Sequence, residues 1–420
     1  MRRSLARYCL KYSSRTCPST VSDKQPLLCC HHCVNMRRSS FMIESLLLLC
    51  VGFAGLLFIM QGNEDETPAV EKLEHQPVLD HRLTVAPAEL KKLEWVSRCK
   101  VNTSVESIAG FFKLPAHIQD FLRYRHCRSF PQILNSPRKC GSAAASKGVF
   151  LLLAIKSSPG NYERRTIIRQ TWGEQNSYEG AQVRRIFLSG TSKNMREDKH
   201  LRQLLRIESK TYGDILQWDF HDTFFNLTLK QLLFYQWFND YCPGAQFIFN
   251  GDDDVFVNTF NVVTYLRGMG KHGAYKHLFV GQLIANVGPI RESGSKYYVP
   301  VQVTTTKSYP MYCGGGGILM SGYTAHVIHN KSEDIQLFPI DDVYLGMCLA
   351  KAGLVPASHM GMRTVGVHVP SAKLDSFNPC YYRELLMVHR FVPYQMLVMW
   401  NAVQDPKLDC GQKLSVNIGM

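Results

Sequence analysis

Residues 148–173 read GVFLLLAIKSSPGNYERRTIIRQTWG. The opening run is apolar without alternation, which is the pattern of a strand buried on both faces. Pro159-Gly160 marks a turn. Residues 161–173 then place Ile167, Ile168 and Trp172 at helical spacing, with Gly173 as a stop signal. The same pairing continues outward. VRRIFLSG (183–190) predicts a second strand and 195–208 a helix. DILQWDF (214–220) predicts a third strand, LTLKQLLFYQWFNDY (227–241) an amphipathic helix, and AQFIFN (245–250) a further strand. Such alternation implies an α/β fold with a largely parallel sheet covered by helices. Ligands in these sheets bind beyond the carboxyl ends of the strands. Lys156, Ser157, Arg164 and Arg165 follow the first strand, so both contact with a nucleotide diphosphate and a solvated basic loop remain open for them.

Three further segments carry chemistry. Phe247-Ile-Phe-Asn-Gly-Asp-Asp-Asp-Val-Phe-Val257 holds three carboxylates between apolar β-type runs. In extended backbone Asp252 and Asp254 share one face and Asp253 takes the other. Adjacent carboxylates repel, and a hard divalent cation such as Mn²⁺ or Mg²⁺ bridging to phosphate would compensate them. An acidic surface turn is the plainer alternative. Phe338-Pro-Ile-Asp-Asp-Val343 precedes a helical run, so one Asp is expected as N-cap and the other is free to act as a general base. Tyr312-Cys-Gly-Gly-Gly-Gly-Ile318 permits close main-chain approaches, as would a flexible loop. His389 lies in an apolar stretch, where a lone His is usually structural. No phosphate-binding G-x-x-x-x-G-K-[ST] motif and no EF-hand spacing occurs.

The chain ends fix an expected compartment. Phe41 to Met60 (FMIESLLLLCVGFAGLLFIM) is long and apolar enough to cross a bilayer as one helix. Arg37 and Arg38 precede it and Glu64, Asp65 and Glu66 follow, which orients the N-terminus to the cytosol. We therefore expect a cytoplasmic tail (1–40), a transmembrane signal-anchor (41–60) and a Pro-containing stem (61–98). A lumenal extension (99–147), a catalytic domain (148–410) and a short tail (411–420) follow. Eight of the 48 Lys/Arg and one of the 34 acids lie in residues 1–40, so this tail supplies half of the +14 net charge. The body is only mildly basic and shows no nucleic-acid-binding module. Cysteines beyond residue 90 form no C-x-x-C pair, so disulfides of an oxidising compartment are their expected use. Sequons at Asn102, Asn226 and Asn330 agree with a lumenal body. The CCHHC run at 29–33 is too crowded for a zinc site, and translation from Met36 would leave a conventional short tail.

From Gly148 to Cys410 the chain resembles the β-1,3-glycosyltransferases of glycosyltransferase family 31, and among them the N-acetylglucosaminyl-transferring branch. RQTWG (169–173), WDFHDTFFNLTLK (218–230), NGDDDVF (250–256), KYYVP (296–300), YCGGGG (312–317), FPIDDVYLGMCL (338–349) and LLMVHRF (385–391) carry the likeness, in order. FPIDDV and SFNPCYYRELLMVHRFVPYQML look most like the part of that branch that extends core 1 O-glycans. Pro310-Met311-Tyr312 departs from the family's usual Pro-Pro-Tyr, which bears on the acceptor groove. The resemblance implies a GT-A fold, a Rossmann-like mixed sheet flanked by helices behind a single transmembrane helix and stem. It also implies UDP-GlcNAc as donor, Mn²⁺ (or Mg²⁺), and galactose-terminated glycoprotein or glycolipid acceptors at a Golgi membrane. Carried over by motif, Asp254 and His389 bind metal and Asp342 is the catalytic base. Lys156, Arg165, Arg169, Asp252, Asp253, Gly315 and Gly316 face the donor. A β-1,3-galactosyltransferase using UDP-Gal and a non-catalytic lumenal glycan-binding protein are the alternatives. Disulfide pairing and oligomeric state, a homo-oligomer included, stay open.

Overall fold

The computed structural model describes residues 99–411 apart from 272, 274–275 and 366–374. The expected tail, anchor and stem lie outside the described residues, among which no helix is long and apolar enough to cross a membrane.

A nine-stranded mixed sheet forms the centre. Across it run Gln132–Leu134, Ile215–His221, Ala181–Thr191, Val149–Lys156, Phe247–Asp252, Gly317–Ser321, Phe279–Gly281 and Ala357–Ser358, with Ser177–Tyr178 paired to the Ala181–Thr191 strand. The four strands from Ile215–His221 to Phe247–Asp252 are mutually parallel, as the alternating pattern predicts. Gly317–Ser321 runs antiparallel to both of its neighbours, so the sheet is mixed. Val149–Ile155 is buried throughout, and alternate side chains enter opposite cores. Leu152 and Ala154 join one cluster, Leu151, Leu153 and Ile155 the other. Helices Leu227–Tyr241, Gly322–Ser332 and Asp341–Lys351 cover the first face. Helices Tyr162–Gln170, Met195–Tyr212, Thr259–Lys271 and Pro393–Gln404 cover the second.

Two expectations need correction. The Leu227–Tyr241 helix is buried on nearly all sides rather than amphipathic, and even Lys230 and Gln231 are inside. Each has a partner there: Lys230 pairs with Asp222 at 2.7 Å, and Gln231 Nε2 donates to Asn250 Oδ1 at 2.5 Å, while Gln231 Oε1 has no hydrogen-bond partner among the described residues. Neither Asp341 nor Asp342 caps the helix they begin. Ile340 occupies the N-cap, and both carboxylates lie in the first turn, where the helix dipole favours them.

Residues 99–147 carry the helix Ala116–Tyr124 and a small core of Val105, Phe111, Leu114, Ile118 and Leu122. Disulfides Cys99–Cys127, Cys140–Cys242 and Cys380–Cys410 tie this segment and the C-terminal region down, while Cys313 and Cys348 are buried thiols.

Candidate active site

The first strand lies at the switch point of the sheet, with the Ala181–Thr191 strand on one side and Phe247–Asp252 on the other. Strand register sets Lys156 directly opposite Asp252 at the carboxyl edge. The Lys156 ammonium is 3.0 Å from Asp252 and 3.0 Å from Asp341, so one cation holds the two acidic motifs together. Burial alone would lower the Lys156 pKa. Asp252 and Asp341 outweigh it, and the group stays charged well above the ordinary lysine range.

Asp342 is half-buried beside this pair. Burial, and then the negative charge of Asp341, push its carboxyl well above the usual carboxylate range, against the pull of Lys156 and the Gly315 amide. The glycine run explains how the segments approach. A Cβ on Gly315 would stand 3.0 Å from Asp342 Oδ2. Gly316 has φ +106°, and a Cβ there would stand 2.9 Å from the His389 ring. Side chains at either position would push apart the groups that the loop gathers.

The strand Phe247–Asp252 ends in a turn at Asp253 and Asp254 before resuming at Val255–Val257. Val255–Val257 pairs with Met387–His389, with His389 opposite Val255. The Asp254 carbonyl accepts the amides of Arg390 (3.0 Å) and Phe391 (2.8 Å), and Arg390 takes a left-handed φ of 78° to make this possible. As a result His389 Nε2 lies 3.0 Å from Asp254 Oδ1. Donor atoms of Asp252, Asp254 and His389 all fall within 4.8 Å of one another. His389 Nδ1 lies 3.2 Å from the Thr364 carbonyl, so Nδ1 donates there; Nε2, which shares a proton with Asp254 in this structure, is the nitrogen that would turn to a metal on losing it. Two carboxylates and one imidazole are a donor set suited to Mn²⁺. Burial disfavours charge on His389, but Asp254 more than compensates and the pKa is raised. The same pairing holds Asp254 below the ordinary carboxylate range despite its burial.

The other residues read from the sequence go elsewhere. Asp253 is buried and turned away. It accepts a hydrogen bond from Asn161 Nδ2 at 2.8 Å, with Arg164 3.9 Å off, so it anchors the start of the Tyr162–Gln170 helix rather than facing the cleft. Arg165 is fully buried. It pairs with Glu208 and donates to the Ser157 hydroxyl and to the Ser158 and Pro159 carbonyls. It shapes the loop after Lys156 from beneath, with its guanidinium enclosed by the fold. Arg169 is taken up by Glu208 and Asp214 on the far side of that helix. Both arginines are corrected from donor contact to scaffold. Sequence reasoning does not single out Asp341 or Asn161 as site residues. Asp341 is visible there as half of an acidic pair, whereas nothing local marks Asn161. Of the sequon residues, Asn330 is exposed on its helix, Asn102 accepts from the Ser104 amide, and Asn226 donates to the His221 carbonyl.

A family model described as galactosyltransferase matches residues 163–360. N-acetyllactosaminide beta-1,3-N-acetylglucosaminyltransferase 3 of Homo sapiens is 49% identical over 88% of this chain and 96% of its own length. The chain belongs to the galactosyltransferase family. A second relative, the acetylgalactosaminyl-O-glycosyl-glycoprotein beta-1,3-N-acetylglucosaminyltransferase of Mus musculus, is 51% identical over 80% of this chain and 85% of that one. N-acetyllactosaminide beta-1,3-N-acetylglucosaminyltransferase 4 of Homo sapiens is 41% identical over 93% and 94%. The motif-based resemblance to the β-1,3-N-acetylglucosaminyl-transferring branch of this family therefore holds, and the mixed α/β sheet flanked by helices is its glycosyltransferase-like fold.

Proposed function

We propose that the protein is an inverting β-1,3-N-acetylglucosaminyltransferase of GT-A type, transferring GlcNAc from UDP-GlcNAc to galactose-terminated glycans. The observation that carries this reading is the placement of Asp342 against the Lys156–Asp252–Asp341 cluster, within a chain whose relatives bear that activity in their names. Asp252, Asp254 and His389 would hold Mn²⁺, or Mg²⁺. When bound, the ion supplies positive charge to the diphosphate of the leaving group.

The chain's own residues do the rest. Asp342 accepts the proton of the acceptor 3-hydroxyl as that oxygen attacks the anomeric carbon opposite UDP. Burial, and then the charge of Asp341, raise its pKa, which makes its carboxylate a stronger proton acceptor than an exposed one. Lys156 keeps Asp252 and Asp341 in place and offsets their repulsion of the diphosphate. The Gly315 amide orients Asp342 and, with Gly316, lets the sugar lie against main chain. Residues 1–40, 41–60 and 61–98 would act as tail, anchor and stem, which puts the catalytic body in the Golgi lumen.

A second reading of the acceptor has its own support. Two relatives, at 51% and 52% identity, are named for acetylgalactosaminyl acceptors. The deciding experiment offers UDP-GlcNAc and UDP-Gal in parallel, with Mn²⁺ or EDTA, to lactosamine, core 1 and N-acetylgalactosaminyl glycopeptides, followed by linkage analysis. Metal-dependent β1-3 GlcNAc transfer to the first two supports the main reading. Transfer to the third alone selects the second, and no transfer to any acceptor overturns both.

A further inference from the structure

We infer that a second cleft, at the same edge of the sheet but away from the Asp342 cluster, binds an anionic oligosaccharide. It has a volume of about 1070 Å³ and lies between the helix Ala116–Tyr124, the carboxyl ends of Ala181–Thr191 and Ile215–His221, and the start of Leu227–Tyr241. That is at the upper end of ordinary small-ligand sites, with room for more than one sugar.

Its charge is unbalanced. Arg125, Lys193, Lys199 and Arg206 line it, and none makes an ion pair among the described residues. Arg202 also lines it, between Asp198 and Asp219, so with Asp120 the cleft sets five Lys/Arg side chains against three carboxylates. The body of the cleft is aromatic. Phe130 meets Phe220 edge-on at 6.0 Å, and His117 stacks on Phe225 at 4.4 Å. Met195 is 89% exposed at the lip. Unpaired cations around aromatic walls fit a ligand with negative groups on rings that have apolar faces, such as a sialylated or sulfated sugar chain.

The cleft is tied to the catalytic side. Leu337 lines it and is five residues from Asp342, so the two Cα atoms are at most about 18 Å apart even along extended chain. The Thr228 hydroxyl, on the cleft wall, donates to the Phe338 carbonyl of that connecting segment at 2.7 Å. An acidic branch of an acceptor glycan held here would present its other branch towards Asp342; this source rests on the transferase reading above. A second source is in cis. Asn226 also lines the cleft and begins a sequon, so an acidic glycan attached there would carry the same chemistry.

The test uses the full chain in detergent without donor or metal, titrated with sialyl-lactosamine and with neutral lactosamine. Occupancy from an acceptor predicts about ten-fold tighter binding of the sialylated probe, in wild type and Asn226→Gln alike, and loss of that preference at high salt. Occupancy by the chain's own glycan predicts the preference only in Asn226→Gln. In either case Lys193→Glu/Arg206→Glu abolishes it, and Asp342→Asn leaves it intact. Lys193 and Arg206 are exposed, so the double variant is expected to melt like wild type; Lys199→Glu/Arg206→Glu is a second reversed variant that leaves Lys193 in place. Equal binding of both probes by wild type and Asn226→Gln, or full preference in both reversed variants, overturns the inference. Because binding is read without turnover, failure of the transferase reading leaves this result interpretable. Where transfer is seen, the double reversal raises KM for sialylated acceptors with kcat and neutral-acceptor KM unchanged.

Discussion

The ammonium of Lys156 stands 3.0 Å from a carboxylate oxygen of Asp341, and both side chains are 7% exposed. The same ammonium reaches Asp252. This buried cation is therefore the joint between the end of the first strand, the acidic turn and the helix that carries Asp342. Lys156→Met leaves Asp341 buried without a partner. We expect a stability loss of about 3 kcal/mol in urea titrations, the usual scale for one missing partner of a buried pair. A loss below half that would mean that the two carboxylates separate freely without Lys156.

Asp342→Asn should cut turnover by about 10²–10⁴-fold while UDP affinity is retained. Near-wild-type transfer would remove the base assignment. The pH profile offers a finer check. Burial, then the charge of Asp341, raise the Asp342 pKa, and a base works only when deprotonated. The acid limb of kcat/KM should therefore lie above the ordinary carboxylate range. Asp341→Asn removes a negative neighbour, so it should move that limb to lower pH; a limb that stays put assigns it to another group.

These features were legible to different depths. Apolar continuity in 149–155 and the alternation that follows gave the parallel core, because both patterns are local. Clustered Asp at 252–254 and at 341–342 announced chemistry, but the Lys156 link depends on strand register across the sheet, which no local pattern carries. Arg165 and Arg169 misled for the same reason. Their partners Glu208 and Asp214 are 43 and 45 residues away, and only packing reveals that the guanidinium groups are already spent. The Leu227–Tyr241 helix read as amphipathic because Lys230 and Gln231 are polar, yet Asp222 and Asn250 meet them inside.

His389→Ala removes the only nitrogen of the Asp252–Asp254–His389 set. Manganese-dependent UDP binding, measured calorimetrically, should weaken by about 10–100-fold, with UDP binding in EDTA unaffected. Since Asp254 raises the His389 pKa, protons compete with the metal at higher pH than for a free imidazole, so manganese affinity should fall as pH drops through the His389 titration. Metal affinity that is independent of pH and of His389 would place the ion elsewhere.

Lys139 offers a prediction independent of the active site. Burial lowers its pKa to about 8, helped by Arg185, Arg184 and Arg169 against the pull of Asp214, and among the described residues its ammonium donates to Gln175 Oε1 alone, at 3.1 Å. The unfolded chain, with an ordinary lysine pKa of 10.5, holds this proton more tightly than the folded one. Between about pH 8 and 10.5 the unfolded state therefore binds more protons, and this group makes stability rise with pH. Below pH 8 both states are charged and the full penalty applies. Lys139→Met should stabilise the fold at about pH 7 by about 1 kcal/mol, after discounting for the solvent that the side chain still meets. The advantage over wild type should fade as pH approaches 10.5. Paired denaturant titrations at about pH 7 and about pH 10 check this, and a variant less stable than wild type at the lower pH would show that the Gln175 bond outweighs the cost of burying the charge.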